Sequence, residues 1–189
     1  MASLDLMFGS PEEQRLMEAL ARQMETVSIE KVSVSALLKE AGMSRATFYR
    51  WYRDKYDLLN RNYQLLLDRT LCGMTKGVSY KQATLQIYGT LRSSPAFYRN
   101  ALSTRGQNSL YRYIYDQSQK TFETLMKGHG IPMEEPYYQM LLTGFLTGTL
   151  EITCLWAKSG MKETPEELLH IFFQLMPEDF RTYISLYHM

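Results

Sequence analysis

Residues Val32–Leu59 read VSVSALLKEAGMSRATFYRWYRDKYDLL, and the spacing in this stretch decides the fold. Ser33 precedes Val34–Ala41, a run with the length and apolar content of one short helix, and Gly42 stops it. Ser44 caps a third helix, Arg45–Tyr52, and Lys55 opens a fourth that runs to about Cys72, with Tyr56, Leu59, Tyr63 and Leu66 on one face. Upstream, Ser10 and Pro11 mark a helix start, and Glu12 and Glu13 complement its positive end. Leu16, Leu20, Met24 and Val27 make the stripe of that first helix. Three short helices with a glycine at the second turn are the layout of a helix-turn-helix, where the glycine supplies a positive backbone dihedral. The same spacing also fits an ordinary helical hairpin.

Charge favours the first reading. From Met43 to Lys55 the chain carries Arg45, Arg50, Arg53 and Lys55 against Asp54 alone, with Tyr49, Trp51 and Tyr52 interleaved. Cations and hydroxyl donors on a short exposed helix suit phosphate contact, in which released counterions drive affinity. A solvated basic face is the alternative. Over residues 1–64 nine basic and nine acidic side chains cancel, so the argument for nucleic acid rests on this local patch.

Outside it the chain also reads as helix. It has 189 residues, a formal charge of +1, 45% hydrophobic and 22% charged residues, proportions that exclude an intrinsically disordered chain. Helices are expected over Tyr80–Ser94, Pro95–Ser103, a long segment carrying Leu110, Ile114, Ser118, Phe122 and Leu125, and Glu134–Lys158. Thr164, Pro165 and Glu167 open a further one, and EDFRTYISLYH (residues 178–188) adds a last turn or two. No segment alternates with period two, so the class is all-α. The weakest point of the pattern is the break at Cys72–Gly77, the only plausible boundary between two halves.

Met140–Ala157 is the longest apolar stretch, but it holds Glu151, two Gly and four Thr and reads as a buried helix rather than a membrane span. The N-terminal MASLDLMFGSPEEQ lacks a basic region followed by an apolar run, which argues against secretion. Two cysteines, Cys72 and Cys154, are too few for a disulfide scaffold and read as reduced cytoplasmic thiols. His129, His170 and His188 show no metal-ligand spacing with them, and no catalytic triad, phosphate loop or metalloprotease motif is present. No metal, cofactor or enzymatic activity is expected.

The quoted run resembles the DNA-binding domain of the TetR family of bacterial transcriptional regulators. The Ala41-Gly42 turn, the Ser44 cap, Thr47-Phe48-Tyr49 and the DKYDLL ending fall in that family's order and spacing. Leu38 departs from it, standing where the family often has a smaller residue. Trp156–Leu168, WAKSGMKETPEEL, resembles members grouped with dihydroxyacetone kinase regulators. The resemblance implies a helix-turn-helix domain over residues 1–54 and a helical effector-binding and dimerisation domain over 55–189.

On this resemblance, Ser44 is the cap of the expected reading helix, and Arg45, Ala46, Thr47 and Arg50 lie near the end that reaches base edges in such folds. Tyr49, Trp51 and Lys55 suit phosphate, whereas Phe48 and Tyr52 face the small core. The partners expected are double-stranded DNA, a second copy of the chain, and a small-molecule or protein effector, with no membrane. Eight of the fourteen tyrosines fall in Tyr80–Tyr138, and Tyr88, Tyr111, Tyr115 and Trp156 are candidate lining residues for an effector pocket. Gly144 and Gly148 would let a helix approach closely, from a second subunit or within one chain. The faces bearing Phe145, Phe172 and Phe173 are expected to need a partner.

Overall fold

The computed structural model describes residues 10–185. The first nine residues, on which most of the expectation about secretion rests, and the end of the C-terminal run with His188 lie outside them. The described residues are helical throughout, without a strand: α1 Pro11–Met24, α2 Val34–Ala41, α3 Arg45–Trp51, α4 Lys55–Arg69, α5 Tyr80–Ser93, α6 Pro95–Ala101, α7 Leu110–Gly128, α8 Pro136–Lys158, α9 Pro165–Leu175 and α10 Glu178–Ser185. Two short 3-10 turns, Ile29–Lys31 and Cys72–Lys76, complete the set. The second occupies the weak point of the sequence pattern, so α4 ends at Arg69 rather than at Cys72. α8 begins at Pro136, not Glu134, because proline in the first turn gives up no hydrogen bond.

The starts marked by serine and threonine are used. Ser10 accepts from the Glu13 amide at 3.2 Å, Ser33 from Ala36 at 3.4 Å and Ser44 from Thr47 at 3.1 Å. Asp54, unforeseen as a cap, accepts from the Tyr56 and Asp57 amides at 2.8 Å each and starts α4. At the turn between α2 and α3, Gly42 has φ +65° and the Met43 amide reaches back to the Leu38 carbonyl at 2.9 Å.

The residues form two compact units. The first combines residues 10–66 and 93–113. Leu16, Leu20, Met24, Ile29, Leu37 and Phe48 are wholly buried there, and Leu38 fits the same core at 4% exposure, so its departure from the family pattern is absorbed by packing. Asn100 of α6 donates to the Met24 carbonyl at the end of α1, 2.7 Å away.

The second unit combines residues 67–92 and 114–185. Phe122 meets Tyr80 and Phe145 edge-on, and Leu142, Leu146 and Leu150 continue the buried side of α8. α8 is long and apolar enough to cross a membrane by length and composition, and seven of its residues are buried inside this unit. Gly160 and Met161, both at positive φ, turn the chain into α9, where Thr164 and Glu167 form a reciprocal capping box.

The partnerless faces differ from expectation. Phe145 and Phe172 are buried within the unit, and Phe173 lies under the Arg181 guanidinium at 5.2 Å. The exposed large apolar side chains of α8 and α9 are Tyr137, Met140, Leu155, Ile171 and Leu175. Apolar content marked the helices correctly, but helical phase decides which side faces out.

Gly42 offers a direct test of the turn. An added Cβ there would meet nothing within 4 Å, so its cost is that of the left-handed backbone alone. Gly42→Ala should lower unfolding free energy by about 1–2 kcal/mol, read as a lower urea midpoint at unchanged slope. An unchanged midpoint would refute the left-handed turn.

Candidate nucleic-acid interface

The seven residues of α3 are too few to hold a helix alone, so burial must supply what length does not. Phe48 is wholly buried and Tyr52, which ends the helix, is 5% exposed, as expected for the pair that faces the core. Tyr52 donates from its hydroxyl to the Glu13 carboxylate on α1 at 2.6 Å. Burial, then that carboxylate, raises the Tyr52 phenol well above its ordinary value, so it stays protonated and keeps donating. Sequence reasoning missed this tie: the partners are 39 positions apart.

With Phe48 inward, Arg45, Ala46, Tyr49 and Arg50 share the opposite side at i, i+1, i+4 and i+5, and all four are exposed. Tyr49 is 56% exposed with its ring edge-on to Phe48, and Trp51 is 39% exposed on a different flank. Arg45 donates to the Ser35 hydroxyl on α2 at 2.7 Å, which holds the guanidinium in place at the surface. Ser35 is a second residue that sequence reasoning passed over; its position on the exposed side of α2 is the signal that could have found it.

Three candidates have internal duties. Ser44 holds the Thr47 amide and lies 2.9 Å from the Thr47 hydroxyl, leaving the Thr47 methyl as the part of that side chain without a hydrogen-bonding duty. Lys55 donates its ammonium to the Glu30 carbonyl at 2.6 Å and the Val32 carbonyl at 2.9 Å. Lys55 therefore braces the turn before α2, with one of its three N–H donors left over. Beside it, Arg53 pairs with Asp57 at 3.1 Å.

The aromatic candidates of the second unit behave differently. Tyr88 and Trp156 do come together, with ring centroids 5.6 Å apart, and Phe172 closes on Tyr88 at 5.0 Å. The Tyr88 hydroxyl lies 2.7 Å from that of Thr153, and the Trp156 indole donates to the Glu163 carbonyl at 3.1 Å. Both polar tips are satisfied inside the unit. Tyr115 reaches Thr143 at 3.5 Å, and Tyr111, in the other unit, lies under the Arg105 guanidinium at 4.2 Å. A cavity of about 240 Å³ in the second unit is lined instead by Met74, Val78, Tyr80, Leu125, His129 and Tyr183, among others. Cys72 and Cys154 form no disulfide. Among the described residues no three His, Cys, Asp or Glu side chains group as a metal ion would require.

Residues 16–61, from the buried side of α1 to the first turns of α4, match the profile of bacterial regulatory proteins of the tetR family. Residues 79–178 match a transcriptional regulator C-terminal region of the same family, which is more than half of the chain. The chain belongs to the TetR family. No curated protein matches it significantly. The chain is thus a TetR-family transcriptional regulator, and α1–α4 carry its helix-turn-helix region. The second match spans α5–α9, so α8 is a helix of the family's C-terminal region. The family assignment points to a regulator rather than an enzyme.

The Arg53–Asp57 pair gives a pH-dependent test. The Arg53 guanidinium, first through its hydrogen bond, holds the Asp57 carboxyl below its ordinary value. A carboxyl lowered on folding adds stability above its unfolded pKa, and that stability is lost as pH falls through the folded one. In Arg53→Gln the Asp57 titration followed by NMR should move up; an unmoved titration would show the pair to be idle.

Proposed function

We propose that this regulator acts as a homodimer on a palindromic operator, with residues 1–54 reading DNA and residues 55–189 carrying dimerisation and effector response. The observation that supports it best is the exposed side of α3, where Arg45, Ala46, Tyr49 and Arg50 stand together on a helix anchored by Phe48. Arg45 and Arg50 can each pair bidentately with guanine, and Ala46 and the Thr47 methyl suit thymine. Tyr49, Trp51, the Ser44 end of the helix and the remaining donor of Lys55 suit phosphate, fixing register without reading sequence.

The dimer reading is supported by α8. Tyr137, Met140, Gly144, Gly148 and Leu155 fall on one side of it, and a Cβ added at either glycine would meet nothing within 4 Å. Packing within one chain therefore does not explain the two glycines, whereas a partner helix lying on that side would. A two-fold dimer presents two α3 helices to two half-sites, and an effector acts by favouring one separation of them. The work of such a protein is cytoplasmic, and α8 serves it as a core and interface helix.

Two readings of the effector follow. Trp156–Leu168 carries the resemblance to dihydroxyacetone kinase regulators, which we take as the subgroup. A small molecule would enter the second unit, where Tyr88, Tyr115 and Trp156 are the notable aromatics; Tyr111, proposed with them from the sequence, belongs to the first unit. The packing of Tyr88 against Trp156 and Phe172 favours the second reading, in which the effector is a partner protein.

Operator selection from a random pool followed by binding titration tests DNA reading. Tyr49→Phe should weaken all duplexes alike. Arg45→Ala should cost about 1–3 kcal/mol on the selected site and relax one base position. Equal loss on selected and random duplexes would remove Arg45 from base reading.

The dimer has its own test. Sedimentation at micromolar concentration should give about twice 22.1 kDa for the native chain, and Leu155→Glu should bring it to one chain's mass. A monomeric native chain would overturn the symmetric-operator argument.

A further inference from the structure

The first unit contains a cavity that the DNA-reading function does not use. It measures about 220 Å³ and lies between the Ile29–Lys31 turn, the first turn of α4, and the loop that joins α6 to α7. Glu30, Tyr56, Thr104, Gln107, Asn108 and Ser109 line it with Gly106, and no aliphatic side chain does. Thr104 is 6% exposed, and its hydroxyl is buried without a hydrogen-bond partner. A buried hydroxyl left unpaired is unfavourable, and native proteins rarely keep one without a reason.

The walls are fixed independently of any ligand. Asn60 on α4 donates to the Asn108 carbonyl at 3.2 Å. Ser109 donates its amide to the Gly106 carbonyl at 3.0 Å and caps α7 by accepting from Arg112 at 3.2 Å. Lys55 donates its ammonium to the Glu30 carbonyl at 2.6 Å and so holds the backbone of the third wall segment.

From this lining we propose that the cavity binds a neutral polyhydroxylated molecule of monosaccharide size, a ligand additional to DNA and to the effector of the second unit. Glu30 carries the only formal charge on the wall and disfavours an anion. The Lys55 ammonium, 5.7 Å from the Tyr56 ring centroid, disfavours a cation. What remains is a set of hydroxyl and amide groups that both donate and accept, plus one carboxylate that accepts. Vicinal hydroxyls answer such a set: one donates to Glu30 while its neighbour exchanges hydrogen bonds with Thr104 and the amides. Tyr56, as a lining residue, adds aromatic surface against which the C–H side of a sugar can pack. Burial, with the nearby Glu30 and Asp54 charges, raises the Tyr56 phenol above its ordinary value and keeps it a donor. The volume corresponds to about seven waters, below the range of about 300 Å³ and upward that takes drug-sized ligands.

The test uses the full chain, labelled for NMR, titrated with ribose, glucose, sorbitol and myo-inositol, with inorganic phosphate and ammonium as charged controls. At least one polyol should give saturable shifts centred on the amides of residues 29–31 and 104–109 and raise the melting temperature. Thr104→Val keeps the shape and removes the hydroxyl, so it should fold as the native chain does and lose that affinity by tenfold or more. Gln107→Ala, at an exposed position, should weaken binding without touching the core. No saturable polyol binding, saturation by a charged control instead, or binding unchanged in both variants would overturn the proposal. Operator binding by the native chain is read separately and stands or falls on its own.

Discussion

The burial of Phe48 is the constraint on which the reading surface depends. A seven-residue helix has no stability of its own in water, so α3 exists because one side of it is inside. That burial sets the rotation of the helix about its axis. The rotation then sends Arg45, Ala46, Tyr49 and Arg50 outward together. The Tyr52 hydroxyl on Glu13 pins the end of the same helix to α1, and the Ser44 cap pins its start. The direction of the outward side chains is thus set first by Phe48, Tyr52 and Ser44, and the Arg45 contact with Ser35 and the Tyr49 contact with Phe48 refine it.

The second unit follows a different rule, with aromatics spent on the interior. Tyr88, Trp156 and Phe172 form one cluster whose polar atoms find partners in Thr153 and the Glu163 carbonyl. Such a cluster is rigid because both its dispersion contacts and its hydrogen bonds are met at once. α8 contributes Trp156 and Thr153 to this cluster from its inner side and carries glycine, methionine and leucine on its outer side, so one helix serves core and surface with different chemistry.

Much of the fold was legible because it rests on local signals. Serine and threonine caps, the glycine of the second turn and the 3.6-residue period mark helices within a few neighbouring residues. The side of α3 that is exposed was legible too, since Phe48 and Tyr52 have to face the core. What escaped was set by distant partners: Lys55 on the Glu30 and Val32 carbonyls, Arg45 on Ser35, Tyr52 on Glu13. An aromatic at helical spacing does not tell a pocket wall from a packed core, which is why Tyr88 and Trp156 could be read either way. The phase of α8 escaped for a related reason: its apolar residues are so numerous that composition alone does not say which side is inside. The polar cavity beside Thr104 is built from three separate segments and leaves no mark in any one of them.

Met161 shows how narrow a sequence choice can become at a bend. Its backbone sits at φ 56°, a region open to glycine and asparagine, while Met161 is 2% exposed. Glycine would relax the backbone and leave a hole; valine or isoleucine would fill space and clash with the dihedral. An unbranched, flexible thioether meets both demands. The bend between α8 and α9 therefore tolerates little drift in sequence, and conservation of Met161 among close homologues would report geometry.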